Sequence, residues 1–166
     1  GGRASLIDAR EENILVVKGN IANSYHMLGR LDDALHARRD VYSGKLKLLG
    51  QESRCTVLEA KNYADLLIVL NRFEEARSLL RRMIPVARRV LGDNHSLTLV
   101  MRKQHAHSLY KDPDATLDDV LEAVTTLEEV APIARRVLGG AHPETAWVEQ
   151  HLRNARAALR ARETPP

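Results

Sequence analysis

The sequence predicts an all-α protein, a right-handed α-solenoid of helical hairpins, and two observations lead to this prediction. A Leu-Gly dipeptide recurs at 49–50, 91–92 and 138–139, in steps of 42 and 47 residues. Apolar residues make up 44% of the 166 residues, whereas aromatic residues make up only 4%. A core of Leu, Val, Ile and Ala suits closely packed helices better than sheets, and a fixed period of about 20 to 50 residues indicates stacked repeats.

The recurrence extends through each unit. The eight residues 85–92 return at 132–139 with a single conservative change. Two further sets keep the 42-residue step: Ala22, Ala64 and Ala106, and Asn20, Asn62 and Gln104. The second step is longer because residues 111–115 are inserted, and Pro113 within them disfavours helix at the preceding residue.

Each unit is predicted to be a helical hairpin, because apolar residues follow helical spacing, as at Ile14, Val17 and Ile21. Gly29 and Asn71 end such runs and suit the left-handed conformation that closes a helix. The expected first helices are 10–28, 54–70, 96–110 and 143–162, and the expected second helices are 31–49, 73–91 and 116–138.

The ends and interiors of the second helices carry further signals. Acidic pairs begin them and basic pairs end two of them, which complements the helix dipole at about 0.3–1 kcal/mol per charge. Thr116 and Asp119 have the spacing of a capping box. Pro85 and Pro132 lie inside helices, where proline costs about 3 kcal/mol unless the helix bends. A kink that curves the solenoid is expected, and a helix broken at proline is the alternative.

These elements predict one repeat domain over residues 1–166. Its repeats are expected at about 11–53, 54–95 and 96–142, followed by a capping helix at 143–162. The last helix is rich in arginine, as expected of a terminal helix with one face in water.

Composition narrows the class of protein. The net charge of +3 is too small to indicate nucleic acid as a partner. No apolar run is long enough to span a bilayer and no leader segment opens the chain, so we expect a cytoplasmic or otherwise intracellular protein. A lone cysteine, Cys55, cannot form an internal disulfide, which fits a reducing compartment.

The sequence predicts neither catalysis, nor a cofactor, nor a metal site. His105 and His107 are two residues apart, so they point to different sides of a helix and cannot share an ion. Cys55 has no identifiable base, and the glycine-rich phosphate loop, serine elbow and zinc-protease helix do not occur. His95 and His142 recur with the repeat and are interpreted as structural.

The quoted residues resemble tetratricopeptide repeats, in particular the 42-residue variety of kinesin light chains and their bacterial and algal relatives. Residues 136–146, with Leu-Gly followed by His-Pro and Thr-Ala, resemble the linker of that variety. The linker copy after Gly92 keeps the histidine without the proline, and the copy after Gly50 keeps neither. The resemblance spans about residues 11–162. It does not extend to motor association, because the sequence has no coiled-coil region.

The resemblance implies that the first helices line a concave groove and that Ala22, Ala64 and Ala106 allow neighbouring helices to approach. Residues beside these alanines would face a partner, and amide side chains there can replace the hydrogen bonds that an extended peptide loses on leaving water. Lys61 and Lys103 would attract an acidic peptide. The expected partner-binding residues are Asn20, Asn23, Lys61, Asn62, Asp65, Lys103, Gln104 and His107.

The predicted function is protein–protein interaction, as a scaffold, adaptor or structural subunit that binds a protein or peptide. A peptide in the concave groove is one mode, and packing through the convex face or an edge is the other. The alternative is a sensor module of a larger signalling ATPase. An RNA-binding repeat protein is disfavoured, because the arginine pairs lie in helices that also carry acidic residues and aromatic stacking partners are few.

Overall fold

The computed structural model describes residues 2–163, with side chains for residue 6 and from residue 8 onward. These residues form seven α-helices and contain no strand. The helices are α1 Gly2–Met27, α2 Leu31–Leu49, α3 Arg54–Val69, α4 Phe73–Leu91, α5 Ser96–Lys111, α6 Leu117–Leu138 and α7 Pro143–Glu163. The predicted all-α class is confirmed. The bounds agree with the expected ones within one residue, except that α1 begins at residue 2 rather than 10.

The turns inside the first two hairpins close as predicted. Gly29 has φ 73° and Asn71 has φ 58°, both in the left-handed region. At the first turn, the N–H of Arg30 donates to the carbonyl of Tyr25 at 2.9 Å and the N–H of Gly29 donates to His26 at 3.0 Å. An equivalent pair of bonds closes α3. This pattern satisfies the last carbonyls of a helix and turns the chain into the next one.

The linkers between hairpins have a common device, which explains the recurring histidine. At matching linker positions a side chain accepts a hydrogen bond from the backbone N–H two residues later, at 3.1–3.2 Å. The accepting residues are Ser53 before α3, His95 before α5 and His142 before α7. Serine is a common N-cap, and in this chain the histidine Nδ1 takes its place.

The structure shows the outcome of two predictions for the second helices, the capping box of α6 and the effect of the internal prolines. The capping box at α6 is present, with the N–H of Asp119 donating to Thr116 Oγ1 at 3.1 Å and the N–H of Thr116 donating to the Asp119 carboxylate at 2.9 Å. Helices α4 and α6 continue through Pro85 and Pro132. The alternative of helices broken at these prolines is therefore wrong.

The helices pack in two layers. Each second helix contacts the first helix before it and the one after it, and α5 also contacts α3 and α7. Among the described residues, α2, α4 and α6 make no contact with one another. The first helices α3, α5 and α7 therefore form an inner layer, and the second helices form an outer layer with open grooves between them.

The core runs through both layers. Ala22, Ala64 and Ala106 are fully buried, as expected for the small position of each first helix. One hydrophobic cluster joins α2, α3 and α4 and includes Met101 of α5, and a second joins α5, α6 and α7.

Helix α1 departs from regular stacking, because it contacts α2 and no other helix of the described chain. Its residues Ile14, Val17 and Ile21 are 44–56% exposed. One repeat later the same positions are Thr56, Glu59 and Tyr63 of α3, which contact α2. Helix α1 thus exposes the face that α3 packs against the preceding second helix.

Candidate partner-binding surface

An apolar residue occupies the same repeat position of all four first helices, of which α3, α5 and α7 form the inner-layer surface that we call the concave surface. We call Val16, Leu58, Val100 and Trp147 the apolar ladder; they follow the 42-, 42- and 47-residue steps of the repeat. Val100 is half-buried and the other three are 44–58% exposed. A single exposed apolar residue is ordinary on a protein surface. Four at one repeat position form a distinct feature, which sequence reasoning missed although the repeat step could have revealed it.

Two rungs of this ladder line a cleft of about 470 Å³ where α3, α5 and α7 begin. Leu58 and Val100 contribute apolar surface to the cleft, and Leu97 and Leu138 extend it. Charged and polar groups surround this apolar surface: Arg54, Lys61, His95, His142 and Glu144. The cleft can therefore accept an apolar side chain and bind polar groups beside it, which is the usual construction of a ligand site.

Three of the predicted site residues come together where α3 meets α5. Lys61 Nζ donates to the Asp65 carboxylate at 2.9 Å, and Gln104 Nε2 donates to Asp65 at 2.6 Å and to the carbonyl of Lys61 at 3.3 Å. Gln104 is buried, which differs from the expected groove residue. Its amide joins the two helices instead of standing free for a partner.

Lys103 also differs from the expectation of a free basic group. It is buried, and its Nζ donates to Glu144 of α7 at 2.8 Å and lies 4.9 Å from the centre of the Trp147 ring. A carboxylate and an aromatic face both stabilise an ammonium group. Lys103 therefore fixes α7 and the last rung of the ladder, and its charge is already paired.

His107 of α5 is half-buried and lies against a second histidine. Its ring centre is 4.4 Å from that of His151 in α7, and Tyr110 bonds His151 Nδ1 at 2.6 Å. Burial, together with smaller contributions from nearby cationic groups, lowers the pKa of both His107 and His151 to about 4. Both rings are therefore neutral at pH 7 and present polar, uncharged edges.

Of the three asparagines among the predicted site residues, one has a hydrogen-bonded side chain and two do not. Asn23 accepts a hydrogen bond from Arg38 of α2, so its amide is held within the protein. Asn20 is exposed and Asn62 is half-buried, and neither side chain has a hydrogen bond within residues 2–163. Because α1 does not contact α3, Asn20 stands apart from the other predicted residues. Asn62 is thus the unbonded amide beside the cleft.

The lining of the cleft carries two basic side chains, Arg54 and Lys61, and one acidic side chain, Glu144. Lys61 and Lys103 are matched by Asp65 and Glu144. Arg54, at the cleft, has no ion-pair partner in the described chain. Coulombic attraction therefore favours an acidic partner segment.

Within the described residues, no group of three or more His, Cys, Asp or Glu side chains could hold a metal ion. No helix in the same part of the chain has the length and apolar character needed to cross a membrane.

Comparisons with known proteins agree with this architecture. The family model for the tetratricopeptide repeat matches residues 62–97. No curated protein sequence is significantly similar to the chain.

Solved structures resemble almost the whole chain. A Podosopora anserina protein described as a kinesin light chain with nearly identical TPR-like repeats superposes with a TM-score of 0.71 at 22% identity, over 90% of this chain and 68% of that one. BtubC from P. vanneervenii superposes with a TM-score of 0.75 at 17% identity, over 89% of this chain and 57% of that one. At these identities the similarity shows the fold. The chain therefore has the solenoid fold of these repeat proteins, and residues 62–97 within it match the tetratricopeptide repeat.

Proposed function

We propose that this chain is a protein-interaction module that binds an extended acidic segment of a partner along its concave surface. The observation that carries the proposal is the apolar ladder, because exposed Leu58 and half-buried Val100 line a cleft with Arg54 beside them. Successive side chains of an extended segment point to opposite sides. Such a segment would place an apolar side chain in the cleft and a carboxylate near Arg54.

Some polar residues of the concave surface would contact the segment directly, and others would contribute indirectly. Asn62 and Arg54 are unbonded within the described chain and would contact the segment directly. Asp65, Lys103 and Gln104 would act indirectly, because they hold α3, α5 and α7 at the spacing that forms the cleft. A fixed cleft reduces the entropy that binding must overcome.

The experiment selects binding peptides from a random displayed library against the whole chain and then measures their affinity by fluorescence polarisation. We expect selected peptides to combine acidic residues with at least one large apolar residue. Leu58→Asp should weaken binding by at least about tenfold, because it places a buried charge in the apolar contact. Asn62→Ala should weaken binding by about 1–3 kcal/mol through an unpaired backbone group.

The matched control is Leu121→Asp, because Leu121 of α6 is 41% exposed, much like Leu58 at 44%, but lies outside the cleft. This variant should bind the peptides normally. Melting curves for each variant separate lost binding from lost folding. Equal binding by Leu58→Asp and the unaltered chain would place the partner surface elsewhere.

A further inference from the structure

A second cavity, of about 280 Å³, lies on the outer layer in the groove between α4 and α6. Helix α5 forms its floor, since α4 and α6 do not contact each other. The polar side chains that line it are Arg81 and Arg88 from α4, Arg102 and His105 from α5, and Thr126 and Glu129 from α6. The cavity is therefore separate from the concave cleft and shares no lining residue with it.

Three guanidinium groups and one carboxylate give this cavity a positive lining. Arg102 donates to Glu129, and Arg88 pairs at 2.8 Å with Asp93, an exposed residue outside the cavity. Arg81 has no ion-pair partner within residues 2–163. Each guanidinium has five N–H donors, so Arg88 and Arg102 keep donors beyond the ones used in these pairs.

His105 adds a buried polar group to the same lining. It is 7% exposed, and its Nε2 has no hydrogen-bond partner in the described chain. Burial lowers the pKa of His105 to about 4, with Arg81 and Arg77 as further causes, so the ring is neutral at pH 7. A buried polar group without a partner is costly.

The internal repeat shows that this arrangement is not a general feature of the fold. One repeat later, the positions of Arg88 and Arg102 are occupied by Arg135 and Glu149, which form an ion pair between α6 and α7. One repeat earlier, the corresponding residues are Leu46 and Ala60. Only the middle copy has arginine at both of these positions. Both arginines line the cavity, so a bound anion would be attracted to both.

We propose that this cavity binds a phosphate monoester group, carried by a small molecule or by a phosphorylated side chain. Guanidinium groups match the oxygens of phosphate through paired hydrogen bonds, and the dianion offers enough acceptors for several arginines. The Thr126 hydroxyl can donate a further bond. This site does not depend on the concave surface, so either proposal can fail alone.

The experiment measures binding of two probes to the whole chain by isothermal titration calorimetry at constant ionic strength. The probes are inorganic phosphate and a capped pentapeptide with a central phosphoserine between alanines. Peptides with serine or glutamate at the centre are the ligand controls. We expect phosphoserine to bind at least about tenfold more tightly than glutamate, because a dianion with three terminal oxygens can bond more than one arginine.

Three variants test the location. Arg81→Gln and Arg88→Gln should each weaken phosphate binding by at least about tenfold, since each removes hydrogen bonds between a charged donor and a charged acceptor. Arg135→Gln is the matched control, because Arg135 occupies the position of Arg88 in the next repeat; it should leave binding unchanged. Circular dichroism melting checks that each variant folds.

Binding of both probes supports a site for phosphorylated side chains, and binding of inorganic phosphate alone supports a site for small phosphorylated molecules. The proposal is overturned if neither probe binds or if the glutamate peptide binds as well as the phosphoserine peptide. It is also overturned if Arg88→Gln and Arg135→Gln have the same effect.

Discussion

At the scale of single residues, Glu59 is a buried carboxylate in the contact between α2 and α3. Its carboxylate accepts from Arg38 and from Lys45, each at 3.1 Å, and these side chains are only 8–11% exposed. Arg38 also donates to Asn23 of α1. One buried carboxylate therefore compensates two buried cations and connects three helices.

Removing this carboxylate should be strongly destabilising. We expect Glu59→Gln to lower the free energy of unfolding by about 3–5 kcal/mol, because it leaves buried positive charge uncompensated. Urea denaturation followed by circular dichroism measures the change.

A control comes from Lys61→Ala, which removes the exposed pair with Asp65. Such surface pairs contribute about 0–1 kcal/mol. If the two variants lost equal stability, the buried network would have no special role.

At the scale of elements, the solenoid depends on how each first helix begins. The N-cap acceptor is a serine hydroxyl before α3 and a histidine Nδ1 before α5 and α7. In each case the acceptor satisfies a backbone N–H that has no partner inside the helix. The linker residue thus decides where the next hairpin starts.

The cap of α5 can be tested by substitution at His95. His95→Ala should cost about 0.5–2 kcal/mol, because the N–H of Leu97 loses its acceptor. His95→Ser should retain most of the stability, since Ser53 performs the same task one repeat earlier. Thermal melting of both variants provides the comparison, and a serine variant as unstable as the alanine variant would contradict the capping role.

At the scale of the whole molecule, the α5–α7 contact holds the last helix in place through neutral histidines. The rings of His107 and His151 pack against each other across this contact at a tilt of 45°, and Lys103 bonds Glu144 beside them. Lys103 and Lys111 are among the cationic groups that lower the pKa of both rings, and Asp65 and Glu144 act in the opposite direction. Protonation of either ring would place a new positive charge among existing ones.

Stability should therefore depend on pH between 6.5 and 4. In the folded chain the pKa of His107 and His151 is about 4, whereas the unfolded value is near 6.5. The unfolded chain binds more protons in this interval, so stability is complete above about pH 6.5 and falls as pH drops to about 4. Scanning calorimetry at several pH values measures the decline in Tm.

The double variant His107→Gln/His151→Gln should show a smaller decline over the same interval, because two of the responsible groups are gone. His26→Gln is the control, since His26 is exposed at the end of α1. An unchanged decline in the double variant would assign the pH dependence to other groups.

Local signals in the sequence were sufficient to predict the helices and most of their ends. Spacing of apolar residues, Gly29 and Asn71 at the turns, and the Thr116–Asp119 box predicted elements that the structure reproduces, because these signals act within a few neighbouring residues. The repeat also identified the buried alanines, since matching positions in stacked hairpins have matching neighbours.

Which polar side chains lack a hydrogen-bond partner depends on contacts between helices that are distant in sequence. Lys103 and Gln104 occupy groove positions by repeat register, yet α7 and α3 supply Glu144 and Asp65 as their partners, and those contacts join residues about 40 positions apart. Likewise, Arg88 and Arg135 are equivalent in the repeat, but Arg88 shares a cavity with Arg102 of α5, whereas Arg135 pairs with Glu149 of α7. A periodic sequence fixes where a side chain stands in its own repeat, whereas its bonding depends on which residue the adjacent helix brings to it.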